Sequence, residues 1–156
     1  MIAHGFVVVG LFFIAEIIFR RYETRVIAEM GGIRSQTPKF TSMFLILVMA
    51  SISLPSTFNF VGEFTVLYSL SQINIWFAIL GGTTIILGAY YMLRMFQHAM
   101  LGETNSKLFA DVSINEGITL VAIIVVLLFF GLYPKPIIDL ITPSLEEILN
   151  QINRIN

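Results

Sequence analysis

Leu54-Pro55-Ser56-Thr57-Phe58-Asn59-Phe60-Val61-Gly62-Glu63-Phe64 decides how this chain folds. It sets a carboxylate and a helix breaker inside a segment, Phe40 to Leu70, that holds no other charged residue. An ionisable group near the centre of a bilayer costs roughly 2.5 to 3.5 kcal/mol on insertion scales, so such groups mark ion paths or proton relays. As one straight α-helix the segment would reach about 46 Å, well past a hydrocarbon core of about 30 Å, yet it is too short for two spans. An interruption near Pro55 to Asn59 resolves the mismatch. Proline removes a backbone donor and clashes with the preceding turn, and Ser56, Thr57 and Asn59 compete for the freed groups. Non-helical backbone at membrane depth is tolerated only inside protein or beside a water-filled cavity, and carriers place ion sites at such breaks.

Outward from this segment the pattern repeats. The 156 residues are 56% hydrophobic and 12% charged, with a mean hydropathy of +0.86; soluble domains carry about 25% charged residues. Runs free of Asp, Glu, Lys and Arg extend over Ile2–Ala15, Phe40–Gly62, Phe64–Leu93 and Gly117–Pro134, against the roughly 17 to 25 residues a spanning helix needs. The expectation is an all-α, polytopic membrane protein of four transmembrane helices, at about 1–21, 40–70, 75–100 and 115–133, with the second discontinuous. Residues 1–135 form the membrane part and 136–156 a short C-terminal amphipathic tail. Ser71 to Asn74 is read as the turn between helices two and three, and Pro134-Lys135-Pro136 as the end of helix four. In the tail, Leu145, Ile148, Leu149, Ile152 and Ile155 recur at helical spacing behind Pro143, with Ser144 and Glu147 placed for a capping box.

Met1 leads straight into an apolar run with no basic n-region and no A-x-A-like cleavage site, which argues against a signal peptide. A span ending near Phe19 would begin at or before residue 1, so a fragment of a longer subunit is expected. Seven of the nine Lys and Arg residues lie in two loops, Arg20, Arg21, Arg25, Arg34 and Lys39 in one, Arg94 and Lys107 in the other. The positive-inside rule then makes the loops at 20–39 and 94–116 cytoplasmic and places the C-terminus outside.

Glu63 is the first candidate for chemistry. Burial raises a carboxyl pKa toward working pH while a nearby cation or water wire lowers it, so a balanced group can load and release protons. It lies about 10 Å from Leu70 along the helix, in the outer half of the membrane. His4 is the second, since imidazole titrates near neutral pH and can pass a proton between its two nitrogens. Alone, beside Gly5 on an apolar helix, it reads more readily as a hydrogen-bonded packing residue, and only a partner such as Glu63 on the neighbouring helix reverses that reading. Glu16 stands four residues before Arg20, a spacing for an ion pair. Arg94 and His98 read as interfacial anchors, Gly81, Gly82, Gly88 and Ala89 as a close-packing surface, and Trp76, Tyr90 and Tyr91 as rim or helix-contact aromatics. No P-loop, dinucleotide fingerprint or metal-ligand cluster is present, and two histidines without cysteine do not make a haem or iron-sulfur site. Redox chemistry, metal and cofactor binding are therefore not expected in this chain, nor is nucleic-acid binding at a net charge of -1.

These residues carry a resemblance: His4-Gly5 opening an apolar helix, Thr24-Arg25 and Gly31-Gly32 in the next loop, Leu54-Pro55, then Asn59-Phe-Val-Gly-Glu-Phe64, Tyr91-Met-Leu-Arg94 and Gly131-Leu-Tyr-Pro-Lys-Pro136. Together they resemble the C-terminal part of the antiporter-like subunit M family of bacterial NADH-quinone oxidoreductase (complex I), equivalent to mitochondrial subunit 4. Members have about fourteen helices. The resemblance implies that helix two is the discontinuous twelfth, that Glu63 is the terminal proton-channel carboxylate on the outlet side, and that His4 belongs to the central polar axis. It also implies that the chain conducts protons in the bacterial inner (plasma) membrane among other membrane subunits and lipid. NADH, FMN, iron-sulfur clusters and quinone would belong to partner subunits, so the chain is part of an enzyme and translocase without redox chemistry of its own.

Sibling subunits and those of multisubunit sodium/proton antiporters generally carry lysine at the position of Glu63, so glutamate favours subunit M. Three departures stand out. Pro55-Ser56 replaces the usual Pro-Gly, Glu16 stands where the family has an apolar or small residue, and the earlier channel residues of the family lie on helices outside this sequence. Two other readings stay open: a subunit of a multisubunit sodium/proton antiporter, and a non-transporting membrane scaffold whose polar residues only join helices.

Overall fold

The structure, a computed structural model, describes residues 1–102 and 109–155. Lys107, counted above in the second basic loop, lies outside the described residues. The described residues are helical and without strands: α1 (Ile2–Tyr22), a 3-10 turn (Ile27–Glu29), α2 (Ile33–Gln36), α3 (Pro38–Ser51), α4 (Phe58–Ile73), α5 (Ile75–Met100), α6 (Ile114–Leu132) and α7 (Lys135–Ile155). Three of them, α1, α5 and α6, are long and apolar enough to cross a membrane, and α3 is a shorter apolar helix.

The second span is in two pieces. At about 21 Å and 24 Å, neither α3 nor α4 alone reaches across a hydrocarbon core. Both pack against the same three neighbours, α1, α5 and α6. The interruption runs from Ile52 to Thr57, slightly earlier than the sequence suggests, and its cause is more specific than proline. Ser53 takes a left-handed φ of 58°; its N–H donates to the Ala50 carbonyl at 3.3 Å and that of Leu54 to Met49 at 3.0 Å. This is the Schellman arrangement that ends helices, with serine where glycine is usual. Helix α3 is thus over before Pro55 is reached. Pro55 and Ser56 then occupy the middle of a tight turn closed by Thr57 N–H to Leu54 carbonyl at 3.0 Å and Thr57 hydroxyl to the same oxygen at 2.7 Å. Ser56 has φ 81°, the left-handed value that the third position of a Pro-Gly turn takes.

Gly131 on α6 lets this turn be covered. A Cβ there would lie 2.2 Å from the Ser56 carbonyl oxygen and 2.5 Å from the Thr57 carbonyl carbon, so α6 meets the break backbone to backbone. At Gly10 the close neighbour is a side chain, the Leu47 Cδ2 lying 2.9 Å from where a Cβ would be.

The core joins α1, α3 and α6 through Val7, Ile14, Ile17, Leu47, Leu120 and Leu127. Toward the loop end it continues as an aromatic series, Tyr22 to Phe109 to Phe40 to Phe44 to Phe96, with centroids 5.3 to 6.3 Å apart. Helix α5 lies at the edge, with only 6% of its spanning window buried, leaving an apolar face for lipid or other protein. Gly81 approaches Leu67, but Gly82 and Gly88 meet no neighbouring helix closely, so of the three glycines expected to allow close packing only Gly81 does so against another described helix.

Two other local expectations change. Helix α4 continues through Ser71, Gln72 and Ile73, which include no breaker, and Asn74 alone separates it from α5, its side chain accepting from Trp76 N–H at 2.9 Å. The tail helix begins at Lys135 and runs through Pro143, so Ser144 is mid-helix and no capping box forms. A new start at Ser144 would require a second nucleation and leave fresh unpaired donors, which outweighs the one bond proline removes. Ile137 packs against the core, whereas the seven large apolar residues from Ile138 to Ile152 are exposed.

The loops after α1 and α5 meet at one end. Gly32 N–H donates to the Leu101 carbonyl at 3.3 Å and Phe109 N–H to Gln36 Oε1 at 2.8 Å. Asp111 caps α3 from a distance, accepting from Phe40 N–H at 3.0 Å and Lys39 N–H at 3.4 Å. Glu116 completes a capping box with Ser113 and receives Arg21 at 2.6 Å and Arg20 at 3.4 Å.

Candidate functional site

Positions 59, 63 and 70 of α4 fall on one helical face, and with the residues between them at that spacing they form a wall of a cavity of about 590 Å3. The second wall is α5 at Gly81, Thr84, Gly88 and Tyr91, the third is α1 at Ala3 and His4, and the end of α3 adds Ser51. Glu63 and His4, singled out separately in the sequence, thus line the same space. It lies on the far side of the bundle from the basic loops, because α1 runs from His4 at the cavity to Arg20 and Arg21 at the loop end.

Glu63 is half-buried and His4 exposed to the cavity side. Neither forms a hydrogen bond or ion pair with another described residue, and the same holds for the side chains of Ser51, Asn59 and Tyr91. Only Thr84 is occupied, its hydroxyl donating to the Gly81 carbonyl at 2.7 Å. The glycines keep the space open, since nothing lies within 4 Å of a Cβ at Gly62 and only the Tyr91 ring approaches one at Gly88. Chemically, the arrangement offers a carboxyl, an imidazole, a phenol, an amide and a hydroxyl around one volume large enough for several waters. Such a set can receive, hold and pass protons. Among the described residues no three His, Cys, Asp or Glu converge as a metal site.

The other candidates lie elsewhere. Glu16 pairs with Arg20 at 3.5 Å, both largely exposed. Arg94 sits over the Tyr90 ring, 5.8 Å from its centroid, and donates to the Tyr90 hydroxyl. Tyr91, read from sequence as a contact aromatic, faces the cavity instead. Asn59 was read only as a competitor for backbone groups in the break. It lies inside α4, one turn before Glu63, and that spacing alone could have placed it beside the carboxylate.

The family model described as NADH:quinone oxidoreductase/Mrp antiporter, TM, matches residues 1–88. NADH-quinone oxidoreductase subunit M of Rickettsia typhi is 37% identical over 152 residues, covering 96% of this chain and 31% of the relative. The subunit M of Mycobacterium tuberculosis is 34% identical over 157 residues, covering 99% of this chain and 28% of the relative. The chain therefore spans under a third of the length of these curated relatives. Among solved structures, a chain of respiratory complex I from Thermus thermophilus with bound NADH matches at a TM-score of 0.76 and 30% identity, over 80% of this chain and 27% of that one. An Mrp complex from Dietzia sp. DQ12-45-1b matches at 0.77 but 17% identity, over 88% and 34%, a likeness of fold alone. With its apolar spans, its broken helix and the match over its first 88 residues, this integral membrane chain belongs to the transmembrane family of NADH:quinone oxidoreductase and Mrp antiporter subunits.

Proposed function

We propose that this chain is the C-terminal part of a proton-translocating membrane subunit of NADH-quinone oxidoreductase, and that Glu63 and His4 carry its protons. The observation behind this reading is the shared cavity: a carboxyl on the second half of a broken helix and an imidazole on the neighbouring helix line one largely apolar space, and neither has a partner among the described residues. Glu63 would exchange its proton with the outer side, and His4 would deliver protons to it from the centre of the subunit. Electron transfer from NADH through FMN and iron-sulfur clusters to quinone would take place in partner subunits. The basic loops would face the cytoplasm, by the excess of Arg and Lys there, with the protein in the bacterial inner membrane among lipid and the other membrane subunits.

The test is to measure NADH oxidation and proton uptake together, in inverted membrane vesicles holding the complete complex with Glu63→Gln. Proton uptake is expected to fall about a hundredfold, in line with removal of a proton-transfer group, while assembly is retained. Normal uptake by an assembled variant would reduce Glu63 to a helix-packing group. Cation exchange driven by membrane potential without NADH would instead identify a sodium/proton antiporter subunit, the second activity housed in this family.

A further inference from the structure

Asn59 is 8% exposed, yet its amide makes no hydrogen bond to any described residue. A largely buried amide with no protein partner is satisfied by water that reaches it, since buried polar groups are almost always paired with protein or ordered water. Asn59 contributes to the lining of the cavity that holds His4 and Glu63, so that space is where such a water would sit. An amide both donates and accepts and does not titrate, so it can orient a water in the same way whichever protonation state its neighbours hold.

Its placement is also unusually fixed. Asn59 is the second residue of α4, directly after the turn clamped by Gly131, and it stands one helical turn before Glu63, about 6 Å along the axis. The titratable side chains that line the cavity with Glu63 are His4 from α1 and Tyr91 from α5; α3 contributes Ser51, and α6 carries no charged residue from Gly117 to its end. Asn59 is the one amide in this set.

We propose that Asn59 is a positioning residue of the site, holding the water through which His4 and Glu63 exchange a proton. The proposal rests on the functional reading above. In the step, the imidazolium N–H gives its proton to the water while one O–H of that water gives its proton to the Glu63 carboxylate, leaving neutral imidazole, water and neutral carboxyl. The amide keeps the water's lone pair toward His4 and its O–H toward Glu63.

The test uses the assembled complex in inverted vesicles, with Asn59→Leu, Asn59→Ser and Glu63→Gln side by side. Proton uptake is read beside the infrared spectrum of the Glu63 carboxyl, whose band is identified by its loss in Glu63→Gln. The leucine variant is expected to slow uptake about tenfold or more and to shift the position of the Glu63 carboxyl band through a lost water hydrogen bond. The serine variant, which again donates and accepts, is expected to recover uptake to within about threefold. If the leucine complex does not assemble, Asn59→Val, which is smaller and equally without an amide, takes its place. Loss of uptake in Glu63→Gln with both uptake and the Glu63 band unchanged in the leucine variant would overturn the role of Asn59 and leave the functional reading standing. Normal uptake in assembled Glu63→Gln would overturn that reading and this proposal with it.

Discussion

At the loop end, Arg21 meets Glu116 at 2.6 Å, Glu116 also accepts from Ser113 N–H at 2.9 Å, and Asp111 closes the first turn of α3. Around Glu63, five polar side chains line a cavity of about 590 Å3 without a hydrogen bond to one another or to other described residues. The contrast separates two uses of polarity in an apolar bundle. Where charges are matched, as at Arg21 and Glu116, they join helix ends that the chain brings together from 95 positions apart. Where they are left to a cavity, they remain available to change partners, which a proton path requires and a structural joint does not. The turn at residues 52–57 holds the two apart, because it ends α3 and redirects α4 so that Asn59 and Glu63 face the cavity.

Gly131→Ala strikes that divider and should have the largest effect on stability. The added Cβ would lie 2.2 Å from the Ser56 carbonyl oxygen, and both neighbours are backbone, so no side chain can move aside. Overpacking of this kind costs about 3 kcal/mol. The expected outcome is a markedly lower midpoint of thermal unfolding in detergent, with proton uptake lost as the cavity walls separate. An unchanged midpoint would mean that α6 does not press on the break.

Glu116→Gln tests the paired end by itself. Arg21 and Glu116 have side chains only 17% and 14% exposed, so removing the charge leaves a guanidinium partly buried with a weaker partner. Its Nη1 is already buried with no hydrogen bond. A loss of about 2 kcal/mol is expected, less than for a fully buried pair because glutamine still accepts at the helix cap. Unfolding measurements should register it, while proton uptake by the assembled complex stays within about twofold, since Glu116 is remote from the cavity lining. A large loss of uptake in a stable variant would dissolve the distinction between the two ends.

Much of this was legible in the residues. Charge-free runs located the spans, the mismatch between residues 40–70 and the bilayer located the interruption, and a carboxylate in an apolar run singled out Glu63. What stayed hidden depended on partners far away in sequence or on rotation about a helix axis. The pairing of Arg21 with Glu116 needs α1 and α6 side by side, although Ser113-x-x-Glu116 could have been read as a capping box. Tyr91 rather than Tyr90 faces the cavity because of how α5 is turned. In the sequence proline is the obvious breaker and points to an interruption near Pro55 to Asn59, whereas Ser53 in a left-handed conformation ends α3 first. In the tail, Pro143 was given too much weight, since a helix that little else packs against accommodates one missing bond.

Ser56→Gly should have the smallest effect and sharpens the comparison most finely. Ser56 holds φ 81°, where a Cβ costs roughly 1 to 2 kcal/mol, and its hydroxyl makes no hydrogen bond to other described residues. Glycine removes that strain but has more freedom to lose on folding, roughly 0.5 to 1 kcal/mol. The net expectation is a gain of about 0.5 kcal/mol, seen as a slightly higher unfolding midpoint. The atoms nearest a Cβ at Gly131 are backbone atoms of Ser56 and Thr57, so the covering by α6 is untouched and proton uptake should not change. A destabilised glycine variant would mean that the serine side chain holds the turn, and that the break depends on more than the backbone geometry of residues 53 and 56.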